Sequence, residues 1–331
     1  MAALPTFSPV SRRGFLGLAG GAAALALAGC GSSEPTTAAA GAPRTIRTCV
    51  YAKNHASSPL FWQRFAPQGW TVDVKIVTSS AEIQTALESG NLDFGLIGTY
   101  STILAKDQGG FNSKIIGMCA RQGIGLVGRK GVVTDVASLK GRKIAVPPPG
   151  QQVLTLNVLL ERAGLKLNQD VTGVPLGYAD HPGALQRGDV DAFIGTEPLC
   201  TQSVVAGVGE RLPAVSDTPV GDFNTAIWAS PAMLKEPEVC RTVAGLQKQA
   251  AEYLTPGGQN DRAVWKDLLV TQFGYSEQLY ERVLENLGAE WKFDEKRQQQ
   301  FQGAGEIMAK LGAIKAQPDY ESMYARDYWN A

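Results

Sequence analysis

Two stretches of this chain, 98 residues apart, share one local grammar. Ala86-Leu87-Glu88-Ser89-Gly90-Asn91-Leu92-Asp93-Phe94 reads as a helix end, a glycine, a two-residue link and an aspartate entering a strand. Ala184-Leu185-Gln186-Arg187-Gly188-Asp189-Val190-Asp191-Ala192 repeats that reading. A unit that recurs once is no solenoid period; it predicts two similar lobes. From Ile46 onward strand-like runs alternate with helix-like ones, the pattern of a parallel α/β sheet. The 331 residues supply material for two such domains.

The pattern places strands at Thr45–Tyr51, Val72–Val77 and Leu92–Ile97 in the first half. Lys114–Met118 and Ile124–Val127 read as a fourth, interrupted strand region. Ser79, with Glu82 three residues on, is a capping box, so a helix starts there, buries Ile83, Ala86 and Leu87, and ends at Gly90. In the second half Gly141–Val146 is a strand stopped by Pro147-Pro148-Pro149-Gly150. A helix over 151–163 follows, with Val153, Leu156, Leu159 and Leu160 on one face. Asp180 caps a short helix over Pro182–Arg187, and Asp191–Gly195 and Phe223–Ala229 are strands. Residues 237–331 read almost wholly as helices punctuated by Pro237, Gly274, Gly288 and Gly312.

The first 29 residues read as an address. Arg12-Arg13 precede Gly14–Gly29, an uncharged run of 16 residues, shorter than the roughly 20 that a membrane-spanning helix needs. That is the core of a signal peptide. Ser11-Arg12-Arg13-Gly14-Phe15-Leu16 matches the twin-arginine export pattern. Leu27-Ala28-Gly29-Cys30 is similar to a bacterial lipobox, in which the cysteine is diacylated and becomes the mature N-terminus. Two acyl chains anchor stably where one would not. Residues 30–43, small and polar after Cys30, read as a lipidated flexible tether. The expected location is the cell envelope, anchored to a membrane and facing the periplasm or the cell exterior.

Several function classes fall away. Thirty-one basic and 31 acidic residues cancel, which leaves no charge excess for a nucleic-acid face. Beyond Cys30, Cys49, Cys119, Cys200 and Cys240 form no CxxC pair. They permit two disulfides, but Cys49 and Cys119 lie in apolar runs that favour free buried thiols. With only His55 and His181, a histidine-rich metal site is excluded. No G-x-S-x-G, H-E-x-x-H or P-loop motif is present. Gly123–Gly128 fits G-x-G-x-x-G, but its glycines fall inside an apolar strand and not between a strand and a helix. No cofactor is expected, and the chain reads as a non-enzyme.

Four motifs then come together. They are A-L-x-x-G-x-x-D-x-G-x-x-G (Ala86–Gly98) and S-L-K-G-R-K-I-A-V (Ser138–Val146). The others are G-D-V-D-A (Gly188–Ala192) with Glu197-Pro198, and Ser230-Pro231 with Pro237-Glu238. In order and spacing, over residues 45–330, they resemble the extracellular solute-binding proteins of ABC importers. The branch is the one that handles sulfonates, taurine, nitrate and bicarbonate and includes the thiamine-pyrimidine precursor binders. The resemblance implies a two-lobed type II periplasmic-binding-protein fold with the ligand in the cleft between lobes. Lobe one would be residues 44–125 plus 222–331, and lobe two residues 126–221. It also implies a monomer that hands a small organic molecule to a permease and its ATPase. The alternatives are a ligand-sensing lipoprotein, and an enzyme on the same fold similar to the fungal pyrimidine synthases, whose cysteine cluster is missing here.

Sheets of this kind bind ligands beyond the carboxyl ends of their strands. Four strand-to-helix loops would therefore face the cleft. The first offers Asn54, His55, Ser57 and Ser58; the second and third offer Ser79, Ser80, Thr99 and Tyr100. Gln122 lies at the crossover. In lobe two Gln151 and Gln152 open a helix, whose N–H groups and dipole favour an anion. Relatives have serines there, and the longer amides suit an organic ligand better than a compact oxyanion. Glu197 either accepts bonds from a cationic or amide-bearing ligand or holds the hinge. Ser79 reads equally as a cap and His55 as a solvated loop residue, while Asp93 and Asp191 read as structural. Arg121 and Lys53 could supply positive charge, and Phe61 and Trp62 a stacking surface. Weighed together, these features favour a neutral or mixed-charge ligand.

Overall fold

The computed structural model of the chain describes residues 43–213 and 215–329. The export signal, the lipobox with Cys30 and all but the end of the tether lie outside them. No helix among the described residues is long and apolar enough to cross a membrane.

Two strand layers of the same plan, the first divided into a β1–β2 pair and a four-stranded sheet, make a two-lobed α/β fold. In the first, β1 (Arg44–Tyr51) pairs in parallel with β2 (Trp70–Val77). Asp93 N–H donates to Arg47 O at 2.9 Å, which lays β1 beside β3 (Phe94–Gly98). Next come β10 (Phe223–Ala229), β4 (Lys114–Gln122) and the short β11 (Leu287–Ala289), each antiparallel to its neighbour. The second sheet is ordered β7 (Thr172–Pro175), β6 (Lys143–Val146), β8 (Ala192–Thr196), β5 (Ile124–Arg129), β9 (Gly209–Leu212). There β6 runs parallel to β7 and β8, and β5 antiparallel to β8 and β9. The orders β2-β1-β3-β10-β4 and β7-β6-β8-β5-β9 superpose term by term.

The doubled sequence unit is the anchor of this symmetry. Gly90 and Gly188 end their helices at φ +73° and +77°, a left-handed turn that glycine alone makes without strain. The following aspartates then hold the neighbouring strand. Asp93 accepts from Arg47 N–H at 2.8 Å and Nε at 3.1 Å, and Asp191 accepts from Lys143 N–H at 3.2 Å and pairs with Arg129. Both aspartates are structural, as the sequence indicates.

Helices cover both faces of each sheet. In the first lobe they are α1 (Trp62–Phe65), α2 (Ser80–Glu88), α3 (Thr99–Asp107), α7 (Pro237–Leu254), α8 (Arg262–Lys266), α9 (Glu277–Val283) and α10 (Glu295–Lys310). In the second they are α4 (Gln151–Arg162), α5 (His181–Arg187) and α6 (Leu199–Val205). The largest core cluster centres on Trp228, Phe223, Phe293 and Phe301, with Phe293 edge-on to Trp329 at 4.8 Å. Leu156, Leu159 and Leu160 of α4 pack into the core of lobe two, whereas Leu154 enters the cluster of lobe one.

Five expectations are corrected. The sheets are mixed, because β5 and β10 enter from the other lobe and run back against their neighbours. The fourth strand region is two strands in two sheets, broken at Gln122 (φ +62°) and Gly123 (φ +88°), where the chain crosses between lobes. The C-terminal part carries β11 among its helices, with the Arg121 side chain lying over Gly288. In α4 Leu154 is buried in place of Val153, since the helix is gripped from two sides. Asp180 precedes α5, which starts at His181, but its side chain makes no cap bond.

Candidate functional site

The carboxyl ends of β1, β2, β3, β6 and β7 bring Tyr51, Ser80, Thr99, Gly150 and Tyr178 to the seam between the lobes. The Tyr51 hydroxyl bonds Ser80 Oγ at 2.9 Å. Burial pushes the Tyr51 phenol up, and the nearby charge of Tyr178 adds to the shift. Burial also pushes the Tyr178 phenol up to about 12. A Cβ at Gly150 would stand 3.3 Å from Gln152 Oε1 and 3.9 Å from the Tyr178 hydroxyl, so the start of α4 is narrow. Behind it His181 is fully buried against Tyr178 and Phe193.

Two helices open at this seam without a side-chain cap. Gly98 precedes α3 and Gly150 precedes α4, and neither can satisfy the first N–H groups. Elsewhere Ser79, Asp261, Ser276 and Asp294 cap α2, α8, α9 and α10 with their side chains. At the start of α3 the Thr99 hydroxyl is fully buried with no partner. Uncapped N–H groups and an idle hydroxyl together form a place for an acceptor.

The first loop is spent differently. Asn54 Oδ1 accepts from Ala56 N–H at 2.8 Å, and Ser57 Oγ donates to Asn54 O. Ser58 Oγ donates to Gln247 Oε1 at 2.9 Å and touches Cys119 Sγ at 3.2 Å. Trp62, fully buried, donates Nε1–H to the same Gln247 oxygen at 3.0 Å, and Phe61 packs on Tyr253. The Trp62 ring is therefore not available to stack on a ligand, a correction that follows from its place in the core, and Phe61 is half-buried against that core. His55 is 3 % exposed, so it is no solvated loop residue. Both its ring nitrogens lack partners, and burial lowers its pKa to about 4. Its ring lies against Gly123 of the crossover, where a Cβ would come within 2.1 Å of Cε1.

The remaining candidates divide. Ser79 Oγ accepts from Glu82 N–H at 3.2 Å as a helix cap, Tyr100 is half-buried beside the lobe-one core, and Gln152 stays at the seam. Gln151 turns away and donates Nε2–H to Phe223 O. Gln122 holds the crossover: its N–H donates to Asp222 O at 2.6 Å, and its carbonyl accepts from Asn224 Nδ2 at 2.7 Å. Arg121 leans on Gly258 O at 3.4 Å, away from the Tyr51–Tyr178 seam. Glu197 is 2 % exposed and ion-pairs with Arg211 of β9. It also accepts from Thr201 N–H and Oγ1 at 3.2 and 3.1 Å. Its charge is thus already matched, which removes the acid on which the neutral-ligand expectation rested.

Comparison with known proteins fits this geometry. The model of the NMT1-like family matches residues 62–228, half of the chain. The chain belongs to the NMT1-like family. That match runs from α1 to β10 and so includes the α3 and α4 starts, both crossovers and all of the second sheet. A binding protein of Brucella abortus (strain 2308) is 25% identical over 296 residues, 83% of this chain and 86% of its own. The periplasmic aliphatic sulphonate binding protein of Escherichia coli superposes with TM-score 0.71 at 19% identity, covering 86% of this chain and 93% of its own. The desulfurization enzyme DSZB superposes with TM-score 0.65 at 15% identity, covering 87% and 98%. The fold is thus shared by a binding protein and an enzyme. Among the described residues no group of three or more His, Cys, Asp or Glu is placed to hold a metal. Cys49, Cys119, Cys200 and Cys240 are free and buried. Burial pushes the Cys49 thiol up to about 11 and that of Cys119 up to about 12, which opposes thiolate chemistry.

Sequence reasoning missed Tyr51, Tyr178, His181 and Arg211. Tyr178 had a local signal, an aromatic three residues after the proline that ends β7. Arg211 had none, because its partner Glu197 lies across the sheet.

Proposed function

We propose that this NMT1-like chain is the extracytoplasmic ligand-capturing component of an ABC importer. Its lobes, residues 44–125 plus 222–331 and residues 126–221, close over a small organic molecule and deliver it to the permease. The ligand presents an acceptor-rich head to the uncapped starts of α3 and α4, near Thr99 and Gln152, and its flat or apolar body lies among Tyr51, Tyr100 and Tyr178. One observation carries the reading: two helix N-termini, a buried idle hydroxyl and two phenols from different lobes converge at one seam. Buried thiols with raised pKa values and a charge-matched Glu197 support binding over catalysis. A sulfonate, a carboxylated aromatic and a pyrimidine all meet this description.

Export through the twin-arginine route and diacylation at Cys30 would place the protein outside the cytoplasm on a membrane leash. Cys30→Ala is expected to release the protein from the membrane fraction, and retention with unchanged detergent partitioning refutes the anchor. The ligand is tested by thermal shift against sulfonates, nitrate, bicarbonate, pyrimidines and aromatic acids. A ligand at 100 times its Kd adds about 2.7 kcal/mol. A hit that Tyr178→Ala abolishes supports the site; a hit indifferent to Tyr178→Ala and Thr99→Val places the ligand elsewhere.

A further inference from the structure

Arg211, half-buried on β9, is a cation that the ligand reading leaves unused. It projects from β9 over Gly125, where a Cβ would stand 2.5 Å from its Nη1. Its guanidinium pairs with Glu197, and burial lowers its pKa to about 10. Glu197 follows β8, and its own N–H donates to Gly123 O at 2.8 Å, on the first crossover. On its other side Arg211 lines a cavity of about 180 Å3 with Gln122, Ser216, Asp222 and Asn286, between the two crossovers. Asp222, on the second crossover, accepts Gln122 N–H and is held from lobe one by Arg297 and by Gln300 at 2.9 Å. The turn after β8, both crossovers and the edge of lobe one thus meet around one guanidinium.

We propose that Arg211 is a positioning residue: by pairing with Glu197 it fixes the turn after β8 against both crossovers, so that the floor of the cleft is set from the hinge. The first crossover cannot absorb slack elsewhere, since Gln122 and Gly123 both sit at positive φ and Gly123 is pressed by His55. The groups facing the pair are Thr201 and Cys200 from α6, His55 across Gly123, and Asp222 and Glu285 around the cavity. Of these, His55 titrates near 4 and Cys200 is pushed up by burial, so neither changes charge between pH 5 and 8.

The consequence is a pH signature. Without Arg211, Glu197 is a buried carboxylate with no base, and its folded-state pKa rises above the ordinary value of about 4.3. Stability is then retained at low pH and lost as pH climbs through the raised value. The test is a cycle of Arg211→Met, Glu197→Gln, the double variant and Arg211→Lys in the full chain. Denaturation midpoints at pH 5 and pH 8 are read together with hydrogen exchange, corrected for its intrinsic pH dependence, in peptides spanning residues 118–126 and 195–205.

Relative to the wild type, whose own stability rises from pH 5 to pH 8 as the unfolded-state His55 proton is lost, Arg211→Met is expected to be more destabilised at pH 8 than at pH 5, and to exchange faster in both peptides at pH 8. A variant that folds only at pH 5 shows the same thing. The double variant recovers most of both losses, and Arg211→Lys, which keeps a charge without the planar fork, falls between. Equal destabilisation at both pH values, or no recovery in the double variant, overturns the pairing. Faster exchange confined to 195–205 overturns the link to the hinge. The inference rests on the two-lobed binder reading only for its effect on the cleft. The experiment needs no ligand, so a failed ligand screen and a failed Arg211 cycle are separate results.

Discussion

Gln247 of α7 is 1 % exposed and joins three elements. Its oxygen accepts from Ser58 Oγ at 2.9 Å and Trp62 Nε1 at 3.0 Å, and its Nε2 donates to Glu290 O at 2.8 Å. Gln247→Leu keeps the volume and strands all three partners. Each buried group without a partner costs about 1–3 kcal/mol, and the added apolar contact returns about 1 kcal/mol. The expected loss is therefore roughly 2–8 kcal/mol. Ser58→Ala removes one donor and leaves Gln247 bonded to Trp62, for a loss of about 1 kcal/mol. In the double variant the Ser58 penalty has already vanished, so the two losses fall short of additivity by about 1–2 kcal/mol. Urea denaturation of the four proteins reads these values directly. A Gln247→Leu loss under 1 kcal/mol, or strict additivity, refutes the network. A Ser58→Ala variant of unchanged stability with tenfold weaker ligand binding returns Ser58 to the binding site.

Three further outcomes follow from burial. His55 is neutral in the folded chain with a pKa near 4, while the unfolded chain binds its proton below about 6.5. Stability therefore falls between pH 6.5 and 4 by about 3 kcal/mol, and His55→Gln flattens that slope; an unchanged slope in the variant refutes the assignment. The thiols of Cys49, Cys119, Cys200 and Cys240 stay unreactive toward Ellman's reagent until the protein unfolds, and reaction of any of them in buffer contradicts their packing. Gly123→Ala combines a left-handed φ of +88° with a clash against His55 Cε1. It is expected to destabilise by more than the roughly 1 kcal/mol of the backbone penalty alone, with part of the excess recovered in a His55→Ala background.

The sequence carried the fold wherever the signal was local. Ser79 caps α2, Gly90 and Gly188 end helices, and the strand Phe223–Ala229 has the expected limits. It misled wherever pairing across the chain decides. Antiparallel β5 and β10 look like any apolar run, since direction within a sheet leaves no periodicity to read. The break at Gln122-Gly123 shows in the sequence as an interruption between two apolar runs, but a non-glycine residue at positive φ gives no warning that the chain changes sheet there. The short β11 exists only by pairing with β4, where Gly288 faces Arg121, a partner 167 positions away.

The same division runs through the site. Loops were legible as loops, but a polar side chain in a loop has two possible partners, its own backbone or a ligand, and residue type does not choose between them. Asn54, Ser57 and Ser58 satisfy the chain itself, because the buried start of α1 leaves those groups no water. Gly98 and Gly150 do the reverse. Lacking side chains, they cannot cap α3 and α4, and so the N–H groups stay open where the lobes meet. A glycine at an N-cap is an ordinary choice with little cost to the helix, so by itself it marks nothing. It acquires meaning only beside Thr99, whose buried hydroxyl also has no partner, and opposite Tyr51 and Tyr178, whose phenols are held close by two different sheets. In the proposed reading, function resides in what the fold leaves unsatisfied, and that can be counted only once the pairings are known.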